Sequence, residues 1–123
     1  MNGNSVLLDS NAIIAALDGN KIAIELIHQR ILFTSFISEL EVQSYQKLSA
    51  EELKIVKNFL AECIVIDPNT EIKKRAIAFR IKYKLKLPDA IIAATASYLD
   101  LPLISADKSF GKVNEIQSIR FLV

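Results

Sequence analysis

Leu87-Pro88-Asp89-Ala90-Ile91-Ile92-Ala93-Ala94-Thr95-Ala96 is almost wholly apolar, yet a carboxylate stands near its start. Proline fits the first turn of a helix, where its missing N–H goes unused. The run therefore predicts a buried helix from Pro88 to about Leu99. Asp89 lies in the first turn, where the helix dipole favours negative charge. By itself that dipole accounts for Asp89; partners elsewhere in the chain would give it a second use.

Working outward, the flanks read as strand and helix in alternation. Upstream, Thr70 to Lys84 predicts a helix with Ile72, Ala76, Phe79 and Tyr83 on its apolar side. Downstream, Asp100-Leu101-Pro102 is a turn, Leu103-Ile104-Ser105 a strand, and Lys108 to Glu115 a loop or short helical turn. Ile119 to Val123 reads as a last strand. Near the start, Val6-Leu7-Leu8 is a short buried strand. It leads into an apolar helix from Ala12 to Leu17, with Ser10 or Asn11 as its cap. Asp18-Gly19-Asn20 is a turn, and Lys21 to Gln29 an amphipathic helix. Ile31 to Thr34 is a strand. Ser38-Glu39-Leu40-Glu41 has the spacing of a capping box opening a helix to about Leu48. Ser49-Ala50-Glu51-Glu52 repeats that spacing before a helix that reaches Cys63, and Ile64-Val65-Ile66 is a further strand closed by Asp67-Pro68.

Short apolar strands alternating with helices imply parallel βαβ units with helices on both faces of one sheet. The 123 residues, 51% of them apolar, suit a single domain spanning 1–123. A lone cysteine, Cys63, reads as a small buried hydrophobe, and His28 as a structural or surface residue. No secretory leader is visible, because Asp9 interrupts the first apolar run, and Ala90 to Leu99 is about half a membrane span. The expectation is a cytoplasmic protein without a membrane partner.

In parallel sheets, ligands bind beyond the carboxyl ends of the strands. Asp9 and Asp107 each follow a strand, and Glu41 and Asp89 each sit near a helix start facing the same edge. Singly these acids are ordinary turn, cap or dipole residues. Jointly they form a set of carboxylates that would repel one another unless a cation stood among them. Oxygen-only ligands suit Mg²⁺ or Mn²⁺, and the chain lacks the cysteines and histidines of a zinc site. Such an ion polarises a phosphodiester oxygen and activates water; Glu41 could instead orient that water.

The formal charge of +1 leaves polyanion binding to a local basic patch. Lys73, Lys74, Arg75, Arg80, Lys82, Lys84 and Lys86 supply seven of the fifteen basic residues, with no acid between Glu71 and Asp89. They read either as a solvated helix face or as a flank that holds phosphates beside the metal site. Tyr45 and Tyr83 are candidates for stacking on bases.

The chain resembles the PIN domain family, and within it the VapC-type toxin ribonucleases of toxin–antitoxin pairs. Leu7-Leu8-Asp9-Ser10-Asn11 is similar to the family's opening strand and first acid. Ile37-Ser38-Glu39-Leu40-Glu41 is similar to its glutamate helix, with Glu41 in the functional position. Leu87-Pro88-Asp89-Ala90-Ile91-Ile92-Ala93 supplies the third acid. Leu103-Ile104-Ser105-Ala106-Asp107-Lys108-Ser109-Phe110 supplies the fourth, with Ser105 where threonine is usual. The resemblance implies an α/β/α sandwich around a mainly parallel sheet of four or five strands. It implies a Mg²⁺- or Mn²⁺-dependent endoribonuclease with Asp9, Glu41, Asp89 and Asp107 as catalytic and metal-binding residues, and Asn11 and Ser105 in support. It also implies a homodimer and inhibition by a small antitoxin. The chain departs from the family in being short and in carrying Val42-Gln43-Ser44-Tyr45 where many members have a glycine.

Two other readings stay open at this point. An aspartate-nucleophile phosphatase would use Asp9, but wants an acid two residues later, where this chain has Asn11. A non-catalytic RNA- or partner-binding module would bind without a metal and cleave nothing.

Overall fold

A computed structural model of the chain describes residues 4–123. The elements run β1 (Ser5–Leu8), α1 (Ser10–Leu17), α2 (Lys21–Ile27), β2 (Ile31–Ser35), α3 (Phe36–Ser44), α4 (Ala50–Ala61), β3 (Ile64–Ile66), α5 (Thr70–Tyr83), α6 (Leu87–Leu99), β4 (Leu103–Ser105), a 3₁₀ turn (Lys108–Lys112) and β5 (Ser118–Arg120). The five strands form one sheet in the order β3-β2-β1-β4-β5, and every neighbouring pair is parallel. Parallel strands need helical crossovers, which cover the sheet on both faces and make an α/β/α sandwich.

Side-chain alternation along β1 divides the core. Leu7 joins Ile72, Phe79, Ala90, Ala93, Leu103 and Phe110 on the α5–α6 side. Val6 and Leu8 join Ile13, Ala23, Val42, Val56, Leu60 and Ile104 on the side of α1 to α4. The central strand has no exposed residue, which explains why its sequence is a continuous apolar run rather than an alternating one. Truncating Leu7 to Ala would leave a cavity costing about 2–5 kcal/mol.

Helix α6 is buried at Ala90, Ile92, Ala93, Ala94, Thr95 and Ala96. Thr95 satisfies its hydroxyl on the Ile91 carbonyl at 2.7 Å, so the one polar group in that stretch carries no desolvation penalty. Small alanines let α6 lie close against α5 and the sheet, which fixes the helix end that carries Asp89. Pro88 occupies the first turn, as its ring geometry requires.

Several local expectations change. The cap of α1 is Asp9 itself, whose Oδ1 accepts the Ala12 N–H at 2.9 Å, rather than Ser10 or Asn11. Strand β2 runs straight into α3, which Ser35 caps by accepting the Ile37 N–H. Ser38 therefore lies inside the helix, fully buried and without a partner for its hydroxyl, and makes no capping box with Glu41. The second proposed box is present, with Ser49 and Glu52 bonded in both directions. Helix α4 ends at Ala61, leaving Cys63 half-buried beyond it with its thiol pushed up to about 11 by burial. The final strand is Ser118–Arg120, shorter and earlier than its apolar sequence suggests. No helix among the described residues is long and apolar enough to cross a membrane.

Candidate functional site

The strand order puts the ends of β1 and β4 side by side. Leu8 lies opposite Ile104, and the Asp9 N–H donates to the Ile104 carbonyl at 3.3 Å. That register brings Ser105, the last residue of β4, against Asp9, and its hydroxyl donates to Asp9 Oδ2. The same hydroxyl accepts the Asp107 N–H at 2.9 Å. Asp107 in turn accepts the Ser109 N–H through Oδ1 at 2.9 Å, capping the 3₁₀ turn. One chain of bonds thus orders Asp9, Ser105 and Asp107. Beneath it, Thr34 donates to the Leu8 carbonyl at 2.8 Å, tying β2 to the end of β1.

Glu41 reaches this edge from the second turn of α3, where its Oε1 accepts the Ser10 hydroxyl at 3.0 Å. Ser10 follows Asp9 directly, so one dipeptide serves two of the acids: Asp9 as a carboxylate and Ser10 as the anchor of another. Sequence reasoning treated Ser10 only as a possible cap. Its adjacency to Asp9 was visible; the approach of α3 was not. Asp89 arrives from the first turn of α6.

Electrostatics ties the four together. Asp9, 3% exposed, has its carboxyl pushed up to about 6, chiefly by burial. The Ser105 and Ala12 hydrogen bonds oppose that rise, and the charges of Asp107 and Asp89 add to it. Asp89 is also raised, by burial first, then by Asp107 and Glu41, with Lys86 pulling the other way. The ion pairs among the described residues, Arg75–Glu71 and Lys82–Glu115, involve none of the four acids.

A group of repelling, partly buried carboxylates with no ion-pair partner fits a hard cation by charge and by donor chemistry. Among the described residues, however, no three His, Cys, Asp or Glu side chains stand close enough together to form a ready-made ion cage. The acids share one field without closing on one point.

The other candidates are dispersed. Asn11 is exposed and lines, with Asp18, Ala106, Asp107 and Val123, a pocket of about 370 Å³. The basic run divides. Lys84 and Lys86 line a pocket beside Asp89 and Asp107. Lys73 and Arg80 instead rim an apolar groove of about 480 Å³ between α5 and α6, and Lys74 is exposed on α5. Arg75 is occupied by Glu71 and Ser97, and Tyr83 by the Glu115 carboxylate. The phosphatase reading still lacks its second acid, since the residue two positions after Asp9 is the exposed Asn11.

The PIN domain model matches residues 6–116. Among solved structures, a chain of a toxin–antitoxin complex from Klebsiella pneumoniae is 29% identical, with a TM-score of 0.84 over 96% of this chain and 99% of that one. A chain of VapBC-1 from nontypeable Haemophilus influenzae is 22% identical, with a TM-score of 0.81 over 94% and 97%. A chain of VapBC2 from Rickettsia felis, solved bound to a promoter DNA fragment, is 18% identical, with a TM-score of 0.81 over 95% and 98%. The latter two likenesses concern the fold. Among curated proteins, none matches the sequence significantly.

Proposed function

The chain belongs to the PIN domain family, and from that premise we propose that it is a metal-dependent endoribonuclease, the toxin of a toxin–antitoxin pair. The observation that carries this reading is the mutual electrostatic coupling of Asp9, Glu41, Asp89 and Asp107 at the carboxyl edge, with no ion pair to any of them among the described residues. The match to a toxin–antitoxin complex chain over nearly its whole length supports the toxin role.

Asp9, Asp89 and Asp107, with Glu41, would hold Mg²⁺ or Mn²⁺. Bound there, the ion would polarise a phosphodiester oxygen and lower the pKa of a water molecule. In the reaction, water adds to phosphorus, the bond to the 3′ oxygen breaks, and a 5′-phosphate and a 3′-hydroxyl result. The chain's own residues prepare this. Ser105 and the Ala12 N–H hold Asp9 in one orientation, and Ser10 does the same for Glu41. Restricting a ligand's rotation in this way is the work of outer-shell hydrogen bonds in metal sites. Burial keeps competing water from Asp9, and the start of α6 favours a charged Asp89 through its dipole.

Two protein partners belong to the reading. A cognate antitoxin would neutralise the enzyme, as the Klebsiella match suggests. A second copy of the chain would cover Ile77, Ile81 and Leu87, which are 63%, 76% and 51% exposed on the α5–α6 face. Expression in a bacterial host tests the toxin role. Growth arrest is expected from the natural chain, with recovery when the gene beside its own is co-expressed. Unimpaired growth at high expression would count against it.

A further inference from the structure

Three lysines share a pocket with two of the acids. Lys84, Lys86 and Lys112 line a pocket of about 270 Å³ whose wall also includes Asp89, Asp107 and Ser109. The pocket on the other side of Asp107 contains no lysine or arginine. Asp107 lines both, while Asp89 lines only the one with the lysines.

The lysines are held in place by the backbone rather than by carboxylates. Lys84 ends α5 in the left-handed region at φ 55°, which turns the chain sharply towards α6. Leu85 is 4% exposed and anchors the connection in the core, while Lys84 and Lys86 on either side stay exposed. Lys112 closes the 3₁₀ turn, whose Phe110 is buried in the same core cluster. Tyr83 bonds the Glu115 carboxylate at 2.5 Å and accepts the Asn114 N–H at 3.2 Å. That clasp fastens the end of α5 to the segment after the turn, and Lys84 and Lys112 line the same pocket. None of the three lysines takes part in an ion pair among the described residues. Exposed ammonium groups outside any ion pair, lining one concavity, are groups that an anionic oxygen ligand satisfies.

We propose that this pocket holds a backbone phosphate of the RNA next to the bond that is cut, so that the strand leaves the acidic centre past the α5–α6 connection. The inference rests on the ribonuclease reading. It adds Lys112 to the substrate contacts, and it excludes Lys73 and Arg80, which rim the apolar groove. Lysine suits the task because it meets phosphate as a point charge without demanding one geometry, which tolerates different nucleotides. The grip on the strand is one-sided: phosphates beyond the bond on the other side would meet Asp18 and a wall without lysine or arginine among the described residues.

The test uses the full chain carrying Asp9→Asn, so that bound RNA is not cut. Binding of a fluorescein-labelled, random-sequence RNA of about 12 nucleotides is followed by anisotropy across a salt series with Mg²⁺ present. Into this background go Lys84→Asn with Lys112→Gln, and separately Lys73→Gln with Arg80→Gln. Asparagine tolerates the left-handed backbone at position 84, so the first pair should fold; an unchanged melting temperature verifies this. The expected result is a loss of about ten-fold in affinity for the first pair, with the slope of log K against log salt reduced by about 0.7 for each phosphate released. The second pair should bind as the parent does. Equal binding by the first pair, or an equal loss in the second, would overturn the proposal. Cleavage by the natural chain is scored separately. Cleavage with unchanged binding by the first pair removes the pocket and keeps the ribonuclease. No cleavage with a selective loss by the first pair removes the ribonuclease and keeps an RNA phosphate site.

Discussion

Ser105 donates its hydroxyl to one oxygen of Asp9 while the other oxygen caps α1 at the Ala12 N–H, so one buried carboxylate both starts a helix and faces the acidic centre. The two hydrogen bonds order the local backbone and favour the charged carboxylate, but burial outweighs them. Burial and the neighbouring acids raise the Asp9 carboxyl from 3.8 to about 6.

The sign of the resulting pH dependence is fixed. A carboxyl that is harder to ionise in the folded state contributes stability that is fully present below the unfolded value. That contribution is lost as pH rises through the folded value. Between pH 4 and 7, metal-free protein should therefore lose on the order of 2–3 kcal/mol through Asp9. Asn at position 9 keeps the cap and removes the charge. Melting of Asp9→Asn against the natural chain, with a chelator present, should show the variant gaining relative stability as pH rises. A constant difference across that range would contradict the placement of Asp9. Adding Mg²⁺ at pH 7 should stabilise the natural chain and leave the variant nearly unmoved.

The Ser10–Glu41 bond makes a second prediction. Ser10→Ala should fold normally, because Asp9 rather than Ser10 caps α1. It should slow RNA cleavage about 10- to 100-fold, the usual cost of losing an outer-shell partner. Excess Mn²⁺ should restore part of that loss if Glu41 merely needs orienting. Cleavage at the natural rate would show that the bond has no part in the reaction.

Helix α3 offers a contrast between two serines. Ser35→Ala removes the cap and should cost about 1 kcal/mol. Ser38→Ala removes a buried hydroxyl with no partner and should be neutral or slightly stabilising. Urea unfolding of both variants measures the difference. A larger loss at Ser38 would restore the capping-box reading of Ser38 and Glu41.

On the α5–α6 face, Ile81→Lys should weaken self-association without altering the fold, since Ile81 is 76% exposed. Sedimentation over a range of concentrations would show it. A natural chain that stays monomeric throughout would remove the dimer from the account.

Much of this was legible from the residues, for physical reasons that differ from place to place. Strand ends are marked by an abrupt change from apolar to acidic, so Asp9 and Asp107 stood out. Their adjacency depends on β4 pairing with β1, a long-range choice that no local pattern encodes. The start of α3 was misread because β2 passes into it without a turn residue, and Ser38 offered better capping spacing than the true cap. The basic run looked like a single flank, but successive residues on a helix point in different directions. Lys73 and Arg80 consequently left the acidic edge while Lys84 and Lys86, beyond the helix, stayed beside it. Lys112 carried no signal at all: its position follows from the burial of Phe110 and the clasp between Tyr83 and Glu115.

The central claim is that four carboxylates act together through a divalent ion to cut RNA. Purified natural chain and its Asp89→Asn variant should be incubated with structured and unstructured RNA, with Mg²⁺, with Mn²⁺ and with excess chelator. Discrete fragments bearing 5′-phosphates are expected from the natural chain with either metal, none with chelator, and a loss of more than about 100-fold in the variant, beyond that of an outer-shell change. Equal cleavage in chelator, or full activity of a folded Asp89→Asn variant, would contradict it.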